Sequence, residues 1–318
     1  MIFTIILFLI GFILITKGAD IFIESTITVA KKTNIPEMIL GATIVSLATT
    51  FPELTVSTMA SIQGHATMSL GNAVGSIICN TGLVLGIVAT IRPFKINSKD
   101  FNSKALLLII SIIVLIILGL DRSINRTDAV ALIGLMCIYM IQNYKSIPKN
   151  DLRRGYISRN DKINKSNDII KLVVIFIIGI CMMIIGSRLL VNNGIIIAKF
   201  LGVPQGVISL TVIALGTSLP ELVSCLTAIR KKHNAISVGN ILGANILNIV
   251  SVIGLSAFIN DIPILKQTST IDFPFMIVLT LILILPAFIK QRIYRKQGLL
   301  MLLTYIMYLV TLYFTYIS

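Results

Sequence analysis

The sequence of 318 residues contains no tryptophan, and only 13% of its residues are charged. Soluble globular proteins have about 25% charged residues, whereas 56% of the residues here are hydrophobic. The phosphate-binding motif GxxxxGK[ST] is also missing from the sequence. These deficits exclude an ordinary soluble domain and a P-loop nucleotide site. They indicate an all-α polytopic membrane protein.

Residues that commonly bind soft metals are scarce in the sequence. The two histidines, His65 and His233, lie in or near predicted loops, and the four cysteines lie in apolar segments without metal-ligand spacing. The net charge of +14 comes from basic residues spread over several connections, so it does not predict one basic face for nucleic acid. We therefore expect no zinc site, cofactor, nucleic-acid partner or enzymatic activity, and we expect the lipid bilayer to surround the protein.

Apolar residues fall into ten stretches that are long enough to cross a bilayer as helices, which takes about 20 residues each. The predicted spans are 2–29, 37–62, 67–91, 104–120, 127–144, 169–199, 205–229, 235–259, 272–289 and 297–316. Between the fifth and sixth spans lies a polar stretch rich in Asn, Lys and Arg, which we interpret as a linker. The predicted organisation is a five-helix repeat at 1–144, a linker at 145–168 and a second five-helix repeat at 169–318.

The two halves of the chain match when one is shifted by 168 residues, the separation of Glu53 and Glu221. The same ungapped shift aligns identical residues in four segments, among them Gly18/Gly186, Lys31/Lys199, Pro36/Pro204, Thr43/Thr211, Thr49/Thr217, Pro52/Pro220, Gly71/Gly239, Asn72/Asn240, Gly75/Gly243 and Asn80/Asn248. Agreement in a single register indicates an internal repeat. Because five spans are an odd number, the second half enters the membrane in the opposite sense, and the repeat is predicted to be inverted.

The distribution of basic residues predicts the orientation, because Lys and Arg accumulate in cytoplasmic loops. If the linker is cytoplasmic, most basic residues lie on that side, including those at 31–32, 92–104, 230–232 and 290–296. The opposite side then has only Arg122, Arg126 and Lys266 in its connections. We therefore predict a multi-pass protein of the cell membrane with both termini outside.

Glu53 and Glu221 are acidic residues in the middle of strongly apolar spans. A carboxylate at bilayer depth is costly and usually functional, and these two occupy equivalent positions of the repeat. Each follows a proline, Pro52 or Pro220, which removes a backbone N–H and frees a carbonyl one turn earlier. Hydroxyl groups stand beside the predicted breaks, at Thr49, Thr50, Thr217 and Ser218.

The next span of each half contains a related motif, GNAVGSIICN at 71–80 and GNILGANILN at 239–248. Glycines four residues apart allow close helix packing, and Asn80 and Asn248 follow about two and a half turns later. A single Pro, GxxxG or Asn in a membrane helix is commonly structural, so the paired carboxylates carry the interpretation. Carboxylate, carbonyl, hydroxyl and amide oxygens are ligands for hard cations. The four segments are therefore predicted to form one site for Ca²⁺ or Na⁺.

The segments GATIVSLATTFPE and TVIALGTSLPE, with the two GNxxG motifs, resemble the alpha repeats of the calcium/cation antiporter superfamily, especially prokaryotic sodium/calcium exchangers. The resemblance covers nearly the whole chain in span number, linker position and repeat. It implies a fold of ten transmembrane helices in which the second, third, seventh and eighth form the ion-binding core. The first and sixth helices would slide against that core and expose the site to each side in turn. The implied function is secondary antiport of Ca²⁺ against Na⁺.

The resemblance also implies which residues hold each ion. For calcium the implied ligands are Glu53, Glu221 and the carbonyls of Thr49 and Thr217. For sodium they are Ser46, Thr50, Ser76, Asn80, the carbonyl of Ala214, Ser218 and Asn248. Two carboxylates carry a charge of −2, which one Ca²⁺ or two Na⁺ neutralise, so the ions are expected to compete. Protons are expected to compete as well, since two nearby carboxylates in a low dielectric repel each other.

Two residues depart from the family pattern. Ala244 stands where serine is common, which removes a hydroxyl from one sodium position. Asn248 stands where some potassium-dependent relatives have aspartate, which argues against potassium co-transport. Proton-coupled calcium exchange therefore remains an alternative to sodium coupling. A cation channel built on the same site is a further alternative, which the paired inverted halves disfavour.

Overall fold

The computed structural model describes residues 1–33, 35–96, 98–147, 162–202, 216 and 218–317. Its helices are α1 (Ile2–Thr33), α2 (Glu37–Ile62), α3 (Ala66–Ile91), α4 (Ser98–Leu118), α5 (Arg126–Lys145), α6 (Lys162–Phe200), α7 (Leu219–Arg230), α8 (Asn234–Ile259), α9 (Thr268–Lys290) and α10 (Arg295–Ile317). In this described part, eight helices are long and apolar enough to cross a membrane, and α5 and α7 are not among them. The prediction of a helical, multi-pass membrane protein is confirmed at this level.

Several helices extend beyond the apolar spans that predict them. Helix α1 continues to Thr33, α4 begins at Ser98 instead of 104, and α6 begins at Lys162 instead of 169. Hydropathy detects the apolar part of a helix, whereas the helix itself continues into polar residues that reach the membrane surface. The start of α6 lies inside the predicted linker. The division into two repeats and a linker remains a prediction, because 148–161 lie outside the described residues.

Corresponding elements of the two halves are separated by the repeat offset of 168. Helices α3 and α8 each contain a π-helical turn, at Asn80–Leu85 and Asn248–Ile253. The tight turns before these helices hold Gly64 and Lys232 at equivalent positions, both in the left-handed conformation, with φ of 82° and 69°. Because π-helical turns are rare and frequently lie at functional sites, their presence indicates that both helices contribute to a functional site.

Two short antiparallel ribbons join the halves. Strand β1 (Phe94–Lys95) pairs with β4 (Arg292–Ile293), and β2 (Ser123–Ile124) pairs with β3 (Ile262–Pro263). Helix α4 connects β1 to β2, and α9 connects β3 to β4. The ribbons therefore lie at opposite ends of α4 and α9, and each combines one strand from each half.

Helices α1 and α6 pack closely along their length through glycines. A Cβ atom on Gly11 would lie 2.9 Å from the carbonyl oxygen of Gly186, and one on Gly18 would lie 2.9 Å from that of Gly179. These separations are shorter than side chains tolerate, so glycine is what permits this approach. Helices α1 and α6 are thereby paired with each other more extensively than with the remaining helices.

Helices α3 and α8 form the centre of the protein. In the most apolar part of each helix, 72% of the residues of α3 and 89% of those of α8 are buried, compared with 22% for both α1 and α6. Residues of α3, α4, α5, α8, α9 and α10 share one large apolar cluster, whereas α1 and α6 contribute to a second, smaller one. Polar groups on α3 and α8 therefore face protein on nearly every side, where each needs a partner.

Candidate cation site

Glu53 on α2 and Glu221 on α7 are buried, each 1% exposed. Their carboxylates are near enough for the two charges to interact. Glu53 lies in the interior of α2 directly after Pro52, which has no N–H to donate to the carbonyl of Ala48. Pro220 instead lies in the first turn of α7, where proline interrupts no helical hydrogen bond. The two carboxylates thus reach one region from different places, Glu53 from the interior of α2 and Glu221 from the first turn of α7.

Buried oxygens without hydrogen bonds are concentrated among the predicted ligands. In the described ranges, twelve buried side-chain oxygens have no partner, and eight of them are Thr50 Oγ1, Glu53 Oε1 and Oε2, Ser76 Oγ, Asn80 Oδ1, Ser218 Oγ, Glu221 Oε2 and Asn248 Oδ1. A buried polar atom without a partner costs about 1–3 kcal/mol, and a charged one costs more. These oxygens lie on α2, α3, α8 and the start of α7, which leaves them available to a ligand.

The hydroxyl groups near the carboxylates differ in what they contact. Thr49 lies beside the carboxylate of Glu221, but its hydroxyl donates to Oδ1 of Asn240 at 3.1 Å. Ser46 donates to the carbonyl of Thr43 at 3.1 Å. The hydroxyl of Ser218 has no hydrogen-bond partner among the described residues. Among the described residues, the hydroxyls of Thr50, Ser76 and Ser218 therefore have no partner. Those of Thr49 and Ser46 are held by the bonds they donate, which leave their oxygen lone pairs available.

Two asparagines link the helices that carry the predicted ligands. Asn240 on α8 donates to the hydroxyl of Ser224 on α7 at 3.1 Å. Its equivalent, Asn72 on α3, donates to the hydroxyl of Ser57 at 2.9 Å and to the carbonyl of Glu53 at 3.4 Å, both on α2. Neither asparagine is among the ligands predicted from the sequence. The available signal was the asparagine that follows glycine in both GNxxG motifs.

Glycines of the second GNxxG motif bring α8 against α2. A Cβ atom on Gly243 would lie 2.6 Å from Ser46 Oγ and 2.7 Å from the carbonyl oxygen of Ala42. A Cβ atom on Gly239 would overlap the carbonyl of Met38. The predicted close packing is confirmed for this motif. At Gly71 and Gly75 of the first motif, no described atom lies within 4 Å of the position that a Cβ atom would take.

The donor set suits hard cations. Within the residues that the structure describes, no three His, Cys, Asp or Glu side chains come together as a cluster that could hold a metal ion. What the site offers instead is two carboxylates with hydroxyl and amide oxygens, which are the ligands of Ca²⁺ and Na⁺.

The model of the sodium/calcium exchanger protein family matches residues 3–145 and 171–314. The chain belongs to the sodium/calcium exchanger family. Sodium/calcium exchanger MaX1 of Methanosarcina acetivorans is 27% identical over 97% of this chain and 98% of that protein. Inner membrane protein YrbG of Escherichia coli is 32% identical over 87% of this chain and 86% of its own length.

The fold also matches a solved exchanger structure. The sodium-calcium exchanger NCX_Mj, soaked with 10 mM Na⁺ and zero Ca²⁺, aligns with a TM-score of 0.85 at 30% identity, covering 98% of this chain and 99% of that chain. The predicted membership of the calcium/cation antiporter superfamily is thus confirmed. The protein is a multi-pass membrane exchanger of cations including Ca²⁺, and MaX1 and NCX_Mj are named as exchangers.

Most predicted ligands of the exchanger are buried in the protein interior. Nine of them are buried, none more than 4% exposed: Ser46, Thr49, Thr50, Glu53, Ser76, Asn80, Ser218, Glu221 and Asn248. Ala214 and Thr217 lie outside the described residues. The assignment of each residue to calcium or sodium remains a prediction.

A further polar contact in the exchanger crosses from α8 to α3. Asn245 donates to the hydroxyl of Thr81 at 2.8 Å and accepts from Nδ2 of Asn80 at 3.4 Å. Neither Asn245 nor Thr81 has a polar equivalent, since the offset of 168 places Asn245 on Ile77 and Ile249 on Thr81. The repeat therefore gives no signal for either residue.

Proposed function

We propose that the protein is a secondary antiporter that exchanges Ca²⁺ for Na⁺ by alternating access. The single observation that carries this proposal is the set of eight buried, unpartnered oxygens, of which three belong to Glu53 and Glu221 and five to other predicted ligands. Two carboxylates supply a charge of −2, which one Ca²⁺ or two Na⁺ neutralise. Occupation by one kind of ion therefore removes the charge that attracts the other, which is the requirement for exchange.

The proposed ligands divide between the ions as the family resemblance implies. Calcium binds the carboxylates of Glu53 and Glu221 with the carbonyls of Thr49 and Thr217. Sodium occupies flanking positions formed by Ser46, Thr50, Ser76, Asn80, the Ala214 carbonyl, Ser218 and Asn248. This division is supported by the burial of the described members and by the unpartnered oxygens of Thr50, Ser76, Asn80, Ser218 and Asn248. The shared carboxylates make the two kinds of ion compete.

The proposed architecture is ten transmembrane helices in two inverted repeats. It is supported by the offset of 168 residues between the π-helical turns of α3 and α8 and between the preceding tight turns. Pairing of β1 with β4 and of β2 with β3, at opposite ends of α4 and α9, is the pattern that a two-fold axis in the membrane plane produces. Helices α5 and α7 complete the ten.

Both termini are proposed to lie outside the cell, with the central linker in the cytoplasm. The ribbon of β1 and β4 carries Arg92, Lys95, Arg292 and Arg295 in or beside it, and it is assigned to the cytoplasmic face. The ribbon of β2 and β3 is assigned to the outer face. Alternating access then consists of the α1–α6 pair sliding over the ion-binding helices. This assignment is supported by the extensive packing of α1 against α6 and by the second, smaller apolar cluster, which they share with Val45, Ala228 and Ile236.

Proton-coupled calcium exchange is a second candidate, favoured by one specific observation. Ser76 offers an unpartnered hydroxyl on α3, whereas its repeat equivalent on α8 is Ala244. One sodium position therefore has fewer oxygens, and a proton on a carboxylate would need none of them. The two candidates differ in which gradient drives Ca²⁺ movement.

Transport into vesicles distinguishes these candidates. The purified protein is reconstituted into vesicles loaded with Na⁺, and uptake of radioactive Ca²⁺ is measured with Na⁺ and pH gradients imposed separately. We expect uptake that requires internal Na⁺ and is lost in a matched preparation of Glu53→Gln. Uptake driven by pH alone would reject sodium coupling, and large currents without any coupling ion would indicate a channel.

A further inference from the structure

Asn245 is a fully buried amide on α8 that has no counterpart in the first half. At the equivalent position of α3 stands Ile77, which is also fully buried. A buried amide costs free energy unless its donor and acceptor ends are both paired. Its presence at a position that accommodates isoleucine in the other half calls for a specific role.

Both ends of Asn245 are paired, and the pairing fixes its orientation. Its Nδ2 donates to Thr81 Oγ1 at 2.8 Å, which directs its Oδ1 toward Nδ2 of Asn80 at 3.4 Å. The amide of Asn80 is held by its donor end as a result. Its Oδ1 points elsewhere and has no hydrogen-bond partner among the described residues.

The orientation of Asn80 decides whether it attracts or repels a cation. An amide presents a carbonyl oxygen at one end and an NH₂ group at the other, and a half-turn about the terminal bond exchanges them. Holding the NH₂ end leaves the oxygen for the ion. Without Asn245 the two orientations would become closer in energy, and part of the molecules would turn NH₂ toward the ion.

We propose that Asn245 is a positioning residue that sets the sodium affinity of the site by orienting Asn80. This inference rests on the proposed function, in which Asn80 contributes to a sodium position and the carboxylates carry calcium. It also makes the two halves unequal, because Ile77 offers Asn248 no amide group. One sodium position is therefore oriented by a contact between α3 and α8, and the related position on Asn248 lacks that contact.

The test is the substitution Asn245→Ile, which introduces the residue of the first half. In reconstituted vesicles, we expect the Na⁺ concentration for half-maximal Ca²⁺ efflux to rise about five- to tenfold, the effect of losing about one hydrogen bond. Half-saturation by Ca²⁺ in Na⁺-free Ca²⁺/Ca²⁺ exchange is expected to change less than about twofold, because such exchange does not use the sodium positions. An unchanged Na⁺ dependence, or an equal shift for both ions, overturns the inference.

A double-mutant cycle separates positioning from general stability. If Asn245 acts through Asn80, the double variant Asn80→Ala/Asn245→Ile has the same Na⁺ dependence as Asn80→Ala alone. Additive shifts would mean that Asn245 acts independently, and the inference would be rejected. The matched control is Ser256→Ala, which removes a buried hydroxyl of α8 outside the site. Its Na⁺ dependence is expected to be that of the wild-type protein.

A second variant keeps the inference testable if Asn245→Ile does not fold. Thr81→Val preserves the side-chain shape and removes the acceptor that orients Asn245, so it should raise the required Na⁺ concentration in the same direction. Wild-type Na⁺ dependence in Thr81→Val would contradict the inference. Failure of the proposed function itself has a different signature, which is Ca²⁺ transport by the wild-type protein that ignores Na⁺ altogether.

Discussion

The close contact of α8 with α2 makes Gly243 a sensitive test of the site. In Gly243→Ala, the new Cβ atom would lie 2.6 Å from Ser46 Oγ and 2.7 Å from the carbonyl oxygen of Ala42, where ordinary contact begins at 3.4 Å. The helices must therefore separate by about 0.8 Å, and such overpacking costs about 1–3 kcal/mol. A displacement of about 1 Å can reduce the activity of a positioned site about a hundredfold. We expect a lower thermal stability and a much larger loss of transport.

Gly134→Ala is the matched control. This glycine lies on α5 with no described atom within 4 Å of its Cβ position, so alanine should leave transport unchanged and stabilise the helix by about 0.5–1 kcal/mol. Thermal unfolding of both variants in detergent is compared with Na⁺-driven Ca²⁺ transport in vesicles. Wild-type stability and transport in Gly243→Ala would show that α2 and α8 do not depend on this contact, and the reasoning would be refuted.

Three other substitutions test separate parts of the protein. Glu53→Gln and Glu221→Gln each remove half of the site charge and should reduce Ca²⁺ transport at least a hundredfold, so full activity in both would reject the site. Asn240→Ala removes the amide group that donates to the hydroxyl of Ser224. It should lower the free energy of unfolding by about 1–3 kcal/mol, which is measured as a decrease in Tm. Asp20→Asn breaks an exposed ion pair with Arg230 and should change unfolding free energy by less than about 1 kcal/mol, so a larger change would reveal an undetected role.

The positions of the apolar spans and of the paired carboxylates were predictable from local sequence. Helix α2 begins and ends where hydropathy places it, at 37–62, because twenty or more apolar residues have few alternatives in a bilayer. The burial of Glu53 and Glu221 followed from the repeat. Both predictions use patterns that lie within one segment or at one fixed offset.

Contacts between distant segments could not be predicted in the same way. The pairing of Asn245 with Thr81 joins residues that are apolar in the opposite half, so the repeat conceals it. The ribbons consist of two-residue strands, which are too short to produce an alternating pattern. The different surroundings of Pro52 and Pro220 depend on where each helix begins, which the shared motif does not specify.

The ribbons have a consequence for the protein as an assembly of two pieces. Neither half can form β1–β4 or β2–β3 by itself, and the main apolar cluster also takes residues from both halves. Covalent continuity through 148–161 therefore contributes little to what holds the halves together. If the chain is divided within that segment and the two halves are expressed in the same cell, they should associate in the membrane and purify as a complex. Together they should restore the ion site that each half lacks.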